Sequence, residues 1–316
     1  MQAVSAVVTH LRQQLSKVIV GQTEMLDQCM LALLCRGHAL LEGVPGIAKT
    51  LTIKALASVL QMQFQRVQAT SDLMPADILG TNVLNMATSS FTFHAGPVFT
   101  DLLLVDEVNR MPPRTQAALL ECMEEQQITL DGTRHALPTF FTVFATQNPI
   151  EFEGTYPLPE AQLDRFLLKI NVAYPSAAQE TELLSRFQQG FDSRDLSALG
   201  LEALDPAQLT RAREEIRTGV RVEQGLFDYI VRVVRSTRES GALSLGGSPR
   251  ASVFLLQTAK ATAAMDGRDY IIPDDVKSAA LPVLRHRVML KPEAELEGLT
   301  GDQILQDLLR TVEVPQ

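Results

Sequence analysis

Ala39-Leu40-Leu41-Glu42-Gly43-Val44-Pro45-Gly46-Ile47-Ala48-Lys49-Thr50 is the stretch whose reading decides the fold. Its apolar start reads as a short buried strand. Leu51 to Leu60, just behind it, has the apolar spacing of a helix. Strand, glycine-bearing loop, Lys-Thr and helix together form an arrangement that cradles phosphate. Gly43 and Gly46 let backbone N–H groups approach phosphate oxygens with no Cβ in the way. The helix start adds unpaired N–H donors and the positive end of its dipole. Lys49 has the reach for β- and γ-phosphates, and the Thr50 hydroxyl is a suitable Mg²⁺ ligand. A glycine is usual where this chain has Ala48. If that position needs a positive φ, alanine costs about 1–2 kcal/mol there. Taken alone, the stretch is also compatible with an ordinary strand–turn–helix carrying a chance Lys-Thr.

Leu102-Leu103-Leu104-Val105-Asp106-Glu107 is the second strong signal. A continuous apolar run is the mark of a strand buried on both faces, as in parallel sheets covered by helices. Two carboxylates at its end are costly to bury without a purpose, and ligands bind outside the carboxyl ends of such strands. The simplest purpose is Mg²⁺ held through Asp106 and a water polarised by Glu107; the alternative is a strand end reaching solvent. Phe140 to Ala145 reads as another buried strand. It runs into Thr146-Gln147-Asn148-Pro149, which puts Asn148 level with Asp106 and Glu107 if the strands are parallel.

Composition bounds the rest. The 316 residues are 46% hydrophobic and 21% charged, ordinary for a globular chain of about two domains. No apolar run approaches the roughly 20 residues that span a bilayer. Met1 to Leu15 lacks the layout of a signal peptide, so the cytoplasm is the expected compartment. Cys29, Cys35 and Cys122 fall in apolar helical stretches without metal-ligand spacing and read as reduced core thiols. The net charge of −9 disfavours a dedicated nucleic-acid surface.

In chain order, residues 1–15 read as an amphipathic helix. Val18-Ile19-Val20-Gly21-Gln22 follows as an apolar turn, compatible with an adenine pocket and equally with a plain buried turn. A helix from Thr23 to Cys35 leads to the phosphate loop. After a strand at 64–70 come short alternating runs, Val83 to Met86 and Phe91 to His94, around Ala87-Thr88-Ser89-Ser90; they predict a β-hairpin inserted where an uninterrupted helix might be expected. Asp131-Gly132 between alternating runs within 127–137 predicts a second hairpin. Leu158 to Phe166 reads as a short helix and Leu167 to Val172 as a closing strand. Strands alternating with helices predict an α/β parallel sheet. Beyond Pro175 the texture becomes helical: about 176–189, 206–217, 223–240, 249–265 and 273–284, then a terminal helix near 302–309. Asp205-Pro206 and Ser248-Pro249 mark two helix starts, and Gly241 to Gly247 reads as a flexible loop. The expected domains are therefore 1–175 and 176–316. Arg250 stands in the first turn of its helix, where the dipole disfavours a cation; a bound phosphate there would remove the conflict, and the alternative is a solvent-facing arginine with no role.

With these residues in place, the chain resembles the MoxR family of AAA+ ATPases from about residue 10 to about 290. The stretches that carry the resemblance are Leu40 to Thr50, Asp106-Glu107-Val108-Asn109-Arg110, Ala145 to Pro149, Glu153 to Phe166, and Ser248-Pro249-Arg250-Ala251. The family commonly has alanine before the loop lysine. The resemblance implies an α/β AAA+ core followed by a smaller all-α lid. It implies ATP and Mg²⁺ as ligands, with Gly43, Val44, Pro45, Gly46, Ile47, Ala48, Lys49, Thr50 and Leu51 cradling the phosphates and Val20 and Gly21 near the base. Thr50 and Asp106 would serve the metal, Glu107 would activate water and Asn148 would orient it. Arg165 matches the finger that reaches a neighbour's γ-phosphate, and Arg250 matches the second sensor. The inserts near 83–94 and 127–137 match the family's two hairpins. Members usually form hexameric rings and are thought to act as chaperones on partner proteins, often ones with a von Willebrand factor A domain. Two other readings are a nucleic-acid motor and a non-hydrolysing scaffold. The acidic balance and the base-poor hairpin turns count against the first; Glu107, Asn148 and Arg165 together count against the second.

Overall fold

In the computed structural model, which describes residues 1–87, 89–149, 154–193 and 195–315, Leu102 to Val105 have no solvent exposure. They lie inside a five-stranded parallel sheet. In chain order its strands are β1 (Ala39–Glu42), β2 (Phe64–Gln68), β5 (Leu102–Asp106), β8 (Thr142–Gln147) and β9 (Leu168–Asn171), and in space they run β2-β5-β8-β1-β9. The apolar run is continuous because each face meets its own core. Leu102 and Leu104 join the cluster formed with helices α1 (Gln2–Ser16), α2 (Thr23–Leu34) and α3 (Lys49–Val59). Leu103 and Val105 join the cluster under α5 (Pro113–Glu125) and the short α4 (Pro75–Leu79). Side chains alternate across a strand, so a strand with two apolar faces must read as a solid block.

The register aligns the strand ends: Gln68 sits opposite Asp106, Val105 opposite Ala145, and Glu42 opposite Gln147. Every functional side chain at a strand's carboxyl end is thereby brought to one edge of the sheet.

Two hairpins leave this framework where they were expected. The first pairs β3 (Gly80–Asn85) with β4 (Ser90–Ala95), the second β6 (Gln127–Leu130) with β7 (Thr133–Ala136). They lean on each other: the Asn82 amide donates to Asp131 Oδ2 at 2.7 Å, and Phe93 stacks on His135 with centroids 4.1 Å apart. Thr88, in the first turn, and Glu153, in the stretch before Gly154, lie outside the described residues.

Helices dominate after β9: α6 (Glu160–Leu163) precedes it, and α7 (Ala177–Gln188), α8 (Pro206–Gly219), α9 (Gln224–Glu239), α10 (Pro249–Met265), α11 (Pro273–Leu284), α12 (Pro292–Leu296) and α13 (Gly301–Thr311) follow. The loop expected at Gly241 to Gly247 contains a short strand, β10 (Leu243–Leu245), paired antiparallel with β11 (Met289–Leu290). A three-residue strand is too short to show a period of two, which is why it read as loop. Asp205 caps α8 as expected, its carboxylate accepting from Ala207 N–H at 2.9 Å. Ser248 stands at the start of α10 without capping it; its hydroxyl donates instead to Asp164 at 3.0 Å. The three cysteines are free thiols, and burial pushes Cys35 and Cys122 up to about 12.

His38, just before β1, is clamped in the core. Its Nδ1 accepts from Val143 N–H at 2.9 Å, which leaves Nε2 to donate to the Met123 carbonyl at 3.2 Å. Burial pulls its pKa down to about 4, the Met123 carbonyl opposing. His286 is also buried, and burial, with Arg287 adding to it, holds it well below the ordinary value. Both rings stay neutral when folded and take up protons when unfolded. Their contribution is therefore intact above about pH 6.5 and is lost as pH falls towards 4. For His38 alone the loss is on the order of 3 kcal/mol. Thermal unfolding should show the melting temperature dropping across that window, and His38→Gln should blunt the drop. A flat profile between pH 6.5 and 4 would contradict this account.

Candidate nucleotide site

The loop between β1 and α3 opens onto a cleft of about 1080 Å³ at the carboxyl edge of the sheet. Its two expected glycines are needed for different reasons. Gly46 has φ 84° with open space around it, so its backbone angle is what demands glycine. At Gly43 a Cβ would come within 2.7 Å of the Val172 carbonyl oxygen. Close packing between the end of β1 and Val172, just past β9, thus requires that glycine on its own account. Ala48 does take a left-handed conformation, φ 66°, so the strain expected of alanine is present. Lys49 folds back on its own loop, donating to the Gly43 carbonyl and to the Val44 carbonyl at 3.1 Å. Burial lowers its pKa, and Asp106, Glu107 and Glu42 oppose that.

Asp106 and Glu107 face the same cleft, and Asp106 is the better buried of the two. The Thr50 hydroxyl donates to Asp106 Oδ2 at 3.4 Å, so the two candidate metal ligands already touch. Glu107 sits in the left-handed region at φ 58°, a strained position of the kind that gathers at functional sites. Thr146 holds it there: the Glu107 N–H donates to the Thr146 hydroxyl at 2.9 Å, and that hydroxyl donates to Asp106 Oδ1 at 3.1 Å. Asn148 is buried and lines the cleft level with both carboxylates.

Three partners of these carboxylates were missed by sequence reasoning. Arg66 Nε pairs with Asp106 Oδ2 at 2.6 Å. Gln68 donates to Glu107 Oε2 at 2.9 Å and accepts from Arg66 at 3.0 Å. Arg110 Nε pairs with the same Glu107 oxygen at 3.1 Å. Arg66 and Gln68 share a face of β2, which runs beside β5. The sequence signal was there in a polar residue at every second position, but the partner strand is not legible from sequence. Arg66 also tests whether a cation suits this place: a positive charge already rests on Asp106, beside the Thr50 hydroxyl.

One flank of the cleft carries the turn Val18, Ile19, Val20 and Gln22. Gly21, at φ 67°, bends that turn, and Gln179 crowds the space a side chain would need. Leu183, Leu184 and Phe187 of α7 also line the cleft. Leu184 is 71% and Phe187 75% exposed, an apolar flank left open among the described residues.

Arg165 and Arg250 are not in this cleft. Both line a second pocket of about 450 Å³, together with Gly37, His38, Phe141 and Leu167. Those four residues precede β1, β8 and β9, so the pocket lies at the opposite edge of the sheet. Strands of four to six residues at about 3.3 Å each separate the two edges by roughly 13–20 Å, beyond an arginine's reach. Glu124, at the end of α5, pairs with Arg165 at 3.0 Å and with Arg250 at 2.6 Å. The charge beside the start of α10 is therefore Glu124, a carboxylate of the chain itself. Asp164 anchors this region: it binds Arg287 Nε at 2.7 Å and Ser248 at 3.0 Å. Arg287 is 5% exposed and lies over the Phe254 ring at 4.9 Å. Burial pulls it down to about 10, Asp164 opposing.

Among the described residues no helix is long and apolar enough to cross a membrane. Residues 38–168 match the model of the ATPase family associated with various cellular activities (AAA), and residues 235–308 match that of the AAA lid domain. The chain is 41% identical over 312 residues to Chaperone MoxR1 of Mycobacterium tuberculosis, covering 96% of this chain and 81% of that protein. It is 41% identical over 307 residues to YeaC of Bacillus subtilis, covering 96% and 93%. A crystal structure of a protein from Cytophaga hutchinsonii superposes with TM-score 0.89 at 38% identity, covering 99% and 96% of the two chains. The parallel sheet between helices and the helical segment that follows it agree with these likenesses, and the chain belongs to the MoxR family of AAA+ ATPases.

Proposed function

We propose that this protein hydrolyses ATP to ADP and phosphate and uses the cycle to remodel or activate partner proteins, working in the cytoplasm as a hexameric ring, the form usual in the family. Residues 1–175 act as the nucleotide-binding core and 176–316 as its lid. The observation that carries this reading is the contact of the Thr50 hydroxyl with Asp106 at the mouth of the loop, with Glu107 strained and held one residue further on. ATP would lie along residues 43–51, with its base against Val20 and the apolar face of α7. Lys49 would leave the Gly43 and Val44 carbonyls for the β- and γ-phosphates. Thr50 and Asp106 would hold Mg²⁺, displacing Arg66 from Asp106. When bound, the metal neutralises charge on the β- and γ-phosphates. Glu107 takes the proton of the attacking water, and Asn148 keeps that water in line. Glu107→Gln retains the shape and removes the base, so turnover should fall at least ~10²-fold with ATP still bound. Lys49→Ala should lose binding itself. Turnover at the wild-type rate in pure Glu107→Gln protein would sink the assignment.

The arginines complete the reading. Placed at the far edge of the sheet, Arg165 and Arg250 would serve the nucleotide of a neighbouring copy, where such charge stabilisation is worth ~10³–10⁵ in rate. Arg165→Ala and Lys49→Ala protomers each lack what the other supplies at a shared interface. Mixing them should restore activity that neither has alone; no recovery in mixtures shown to co-assemble would rule the trans role out.

The relative named as a chaperone supports a protein client, and we infer one carrying a von Willebrand factor A domain. A strand-tracking motor needs a positively charged channel, whereas this chain carries a net charge of −9. A protein client needs only different affinities for the ATP and ADP states. ATPase rates measured with a purified von Willebrand factor A protein, DNA and RNA should rise only with the protein. Salt-sensitive stimulation by nucleic acid alone would favour the motor.

A further inference from the structure

The pocket at the far edge of the sheet holds more positive charge than two arginines. Arg36 and Arg213 line it as well, so four guanidinium groups share about 450 Å³ with one carboxylate, Glu124. His38 adds no charge at neutral pH, since burial keeps it unprotonated. Arg213 is 6% exposed. Its Nε donates to the Leu33 carbonyl at 2.9 Å, its face lies over the Phe140 ring at 5.0 Å, and its Nη1 has no partner. In a chain whose net charge is −9, four guanidinium groups around one lining carboxylate, with Glu214 outside the pocket answering Arg36, point to an anion that is not part of the chain.

Glu124 shows where that anion goes. Its two carboxylate oxygens divide the arginines between them, Oε2 to Arg165 Nε and Oε1 to Arg250 Nη2. A tetrahedral phosphate presents oxygens with similar spacing and more charge. The two arginines come from separate parts of the chain, Arg165 from the turn before β9 and Arg250 from the start of α10, yet they converge on one group. Glu124 is 39% exposed at the side chain, so a group arriving from outside can compete for its place. Exposed carboxylate pairs are weak, whereas phosphate offers stronger, charge-assisted bonds to the same guanidinium groups.

Resting on the trans role proposed above, we propose that Glu124 is an internal stand-in for the terminal phosphate of a neighbouring copy's nucleotide: it stores Arg165 and Arg250 together in the lone protomer and yields them when that phosphate docks. Glu124 is a positioning residue. Arg36 and Arg213 supply background charge that favours the exchange.

The test separates the anion site from its occupant. Dilute Lys49→Ala protein, whose own loop is disabled, is titrated with inorganic tripolyphosphate by calorimetry at low salt. Adding Glu124→Gln should tighten binding at least about fivefold, as the competing carboxylate is neutralised, and adding Arg165→Ala and Arg250→Ala should abolish the gain. Glu124→Asp should stay close to Lys49→Ala alone, and thermal unfolding checks that each variant folds. Equal affinities with and without Glu124→Gln, or a gain that survives loss of both arginines, would overturn the proposal. In the second arm, Lys49→Ala protomers with and without Glu124→Gln are mixed with Arg165→Ala protomers. Freed arginines should bring half-maximal recovery at a several-fold lower protein concentration. If tripolyphosphate binding tightens but this concentration does not move, the pocket serves a free phosphate compound and the neighbour's nucleotide is excluded as its occupant. If the mixtures co-assemble and recover nothing even without Glu124→Gln, the trans role itself fails, while the calorimetry still decides whether Glu124 masks an anion site.

Discussion

All five strands of the sheet run the same way, and most of what this molecule can do follows from that. In a parallel sheet the carboxyl ends share one edge, and the loops leaving them share one cleft. Gly46, Lys49, Asp106, Glu107 and Asn148 come from three separate strands and meet because of strand direction and register. The same constraint sends the residues that precede strands to the other edge. Arg165 precedes β9, and Arg250 is brought beside it, so neither can reach this chain's own phosphate loop. A single protomer thus carries the loop and the paired arginines at opposite edges of its sheet, separated by the length of its strands.

At the cleft the dominant problem is negative charge. Asp106 and Glu107 are adjacent, and neither is free to move into solvent. Arg66, Gln68, Arg110 and Thr146 supply the compensation, each to a particular oxygen. The Thr146 hydroxyl does two things at once. It satisfies the N–H of a residue whose left-handed backbone removes it from the sheet ladder, and it fixes the orientation of Asp106. Strain at Glu107 and at Ala48 is tolerated because the surrounding hydrogen bonds and packing determine those conformations. If Thr50 and Asp106 hold Mg²⁺ as proposed, Arg66 would have to give up its place on Asp106 Oδ2, the oxygen that the Thr50 hydroxyl also touches.

What was legible in the sequence was whatever has a local cause. The apolar block at 102–105, the Asp-Gly turn, the proline-led helices and the loop before α3 each follow from neighbours in the chain. The two hairpins were legible for the same reason. What escaped depends on partners distant in sequence. Arg66 and Gln68 look like the outer face of an edge strand until β5 is placed beside them. Glu124 looks like a solvated helix end until Arg165 and Arg250 arrive from 41 and 126 residues away. Ser248 carries every local mark of a helix cap, yet its hydroxyl serves Asp164. The crowding at Gly43 escaped too, since it comes from Val172, just past β9 and more than a hundred residues later.

Asp164 draws these threads into one mechanical unit. Its carboxylate takes Arg287, which follows α11, with one oxygen and Ser248, at the start of α10, with the other. Arg165 is the next residue in the chain, and Arg250 lies two residues beyond Ser248. The turn that carries one arginine is therefore bolted to the helix that carries the other. Arg287 is too buried to leave cheaply: removing one partner of such a pair strands a charge in the core, a cost of about 3–5 kcal/mol. Any displacement of the helices around α10 and α11 must then move Arg165 and Arg250 together, with their spacing kept. That coupling is what lets one carboxylate, Glu124, hold both arginines, one from the turn before β9 and one from the start of α10.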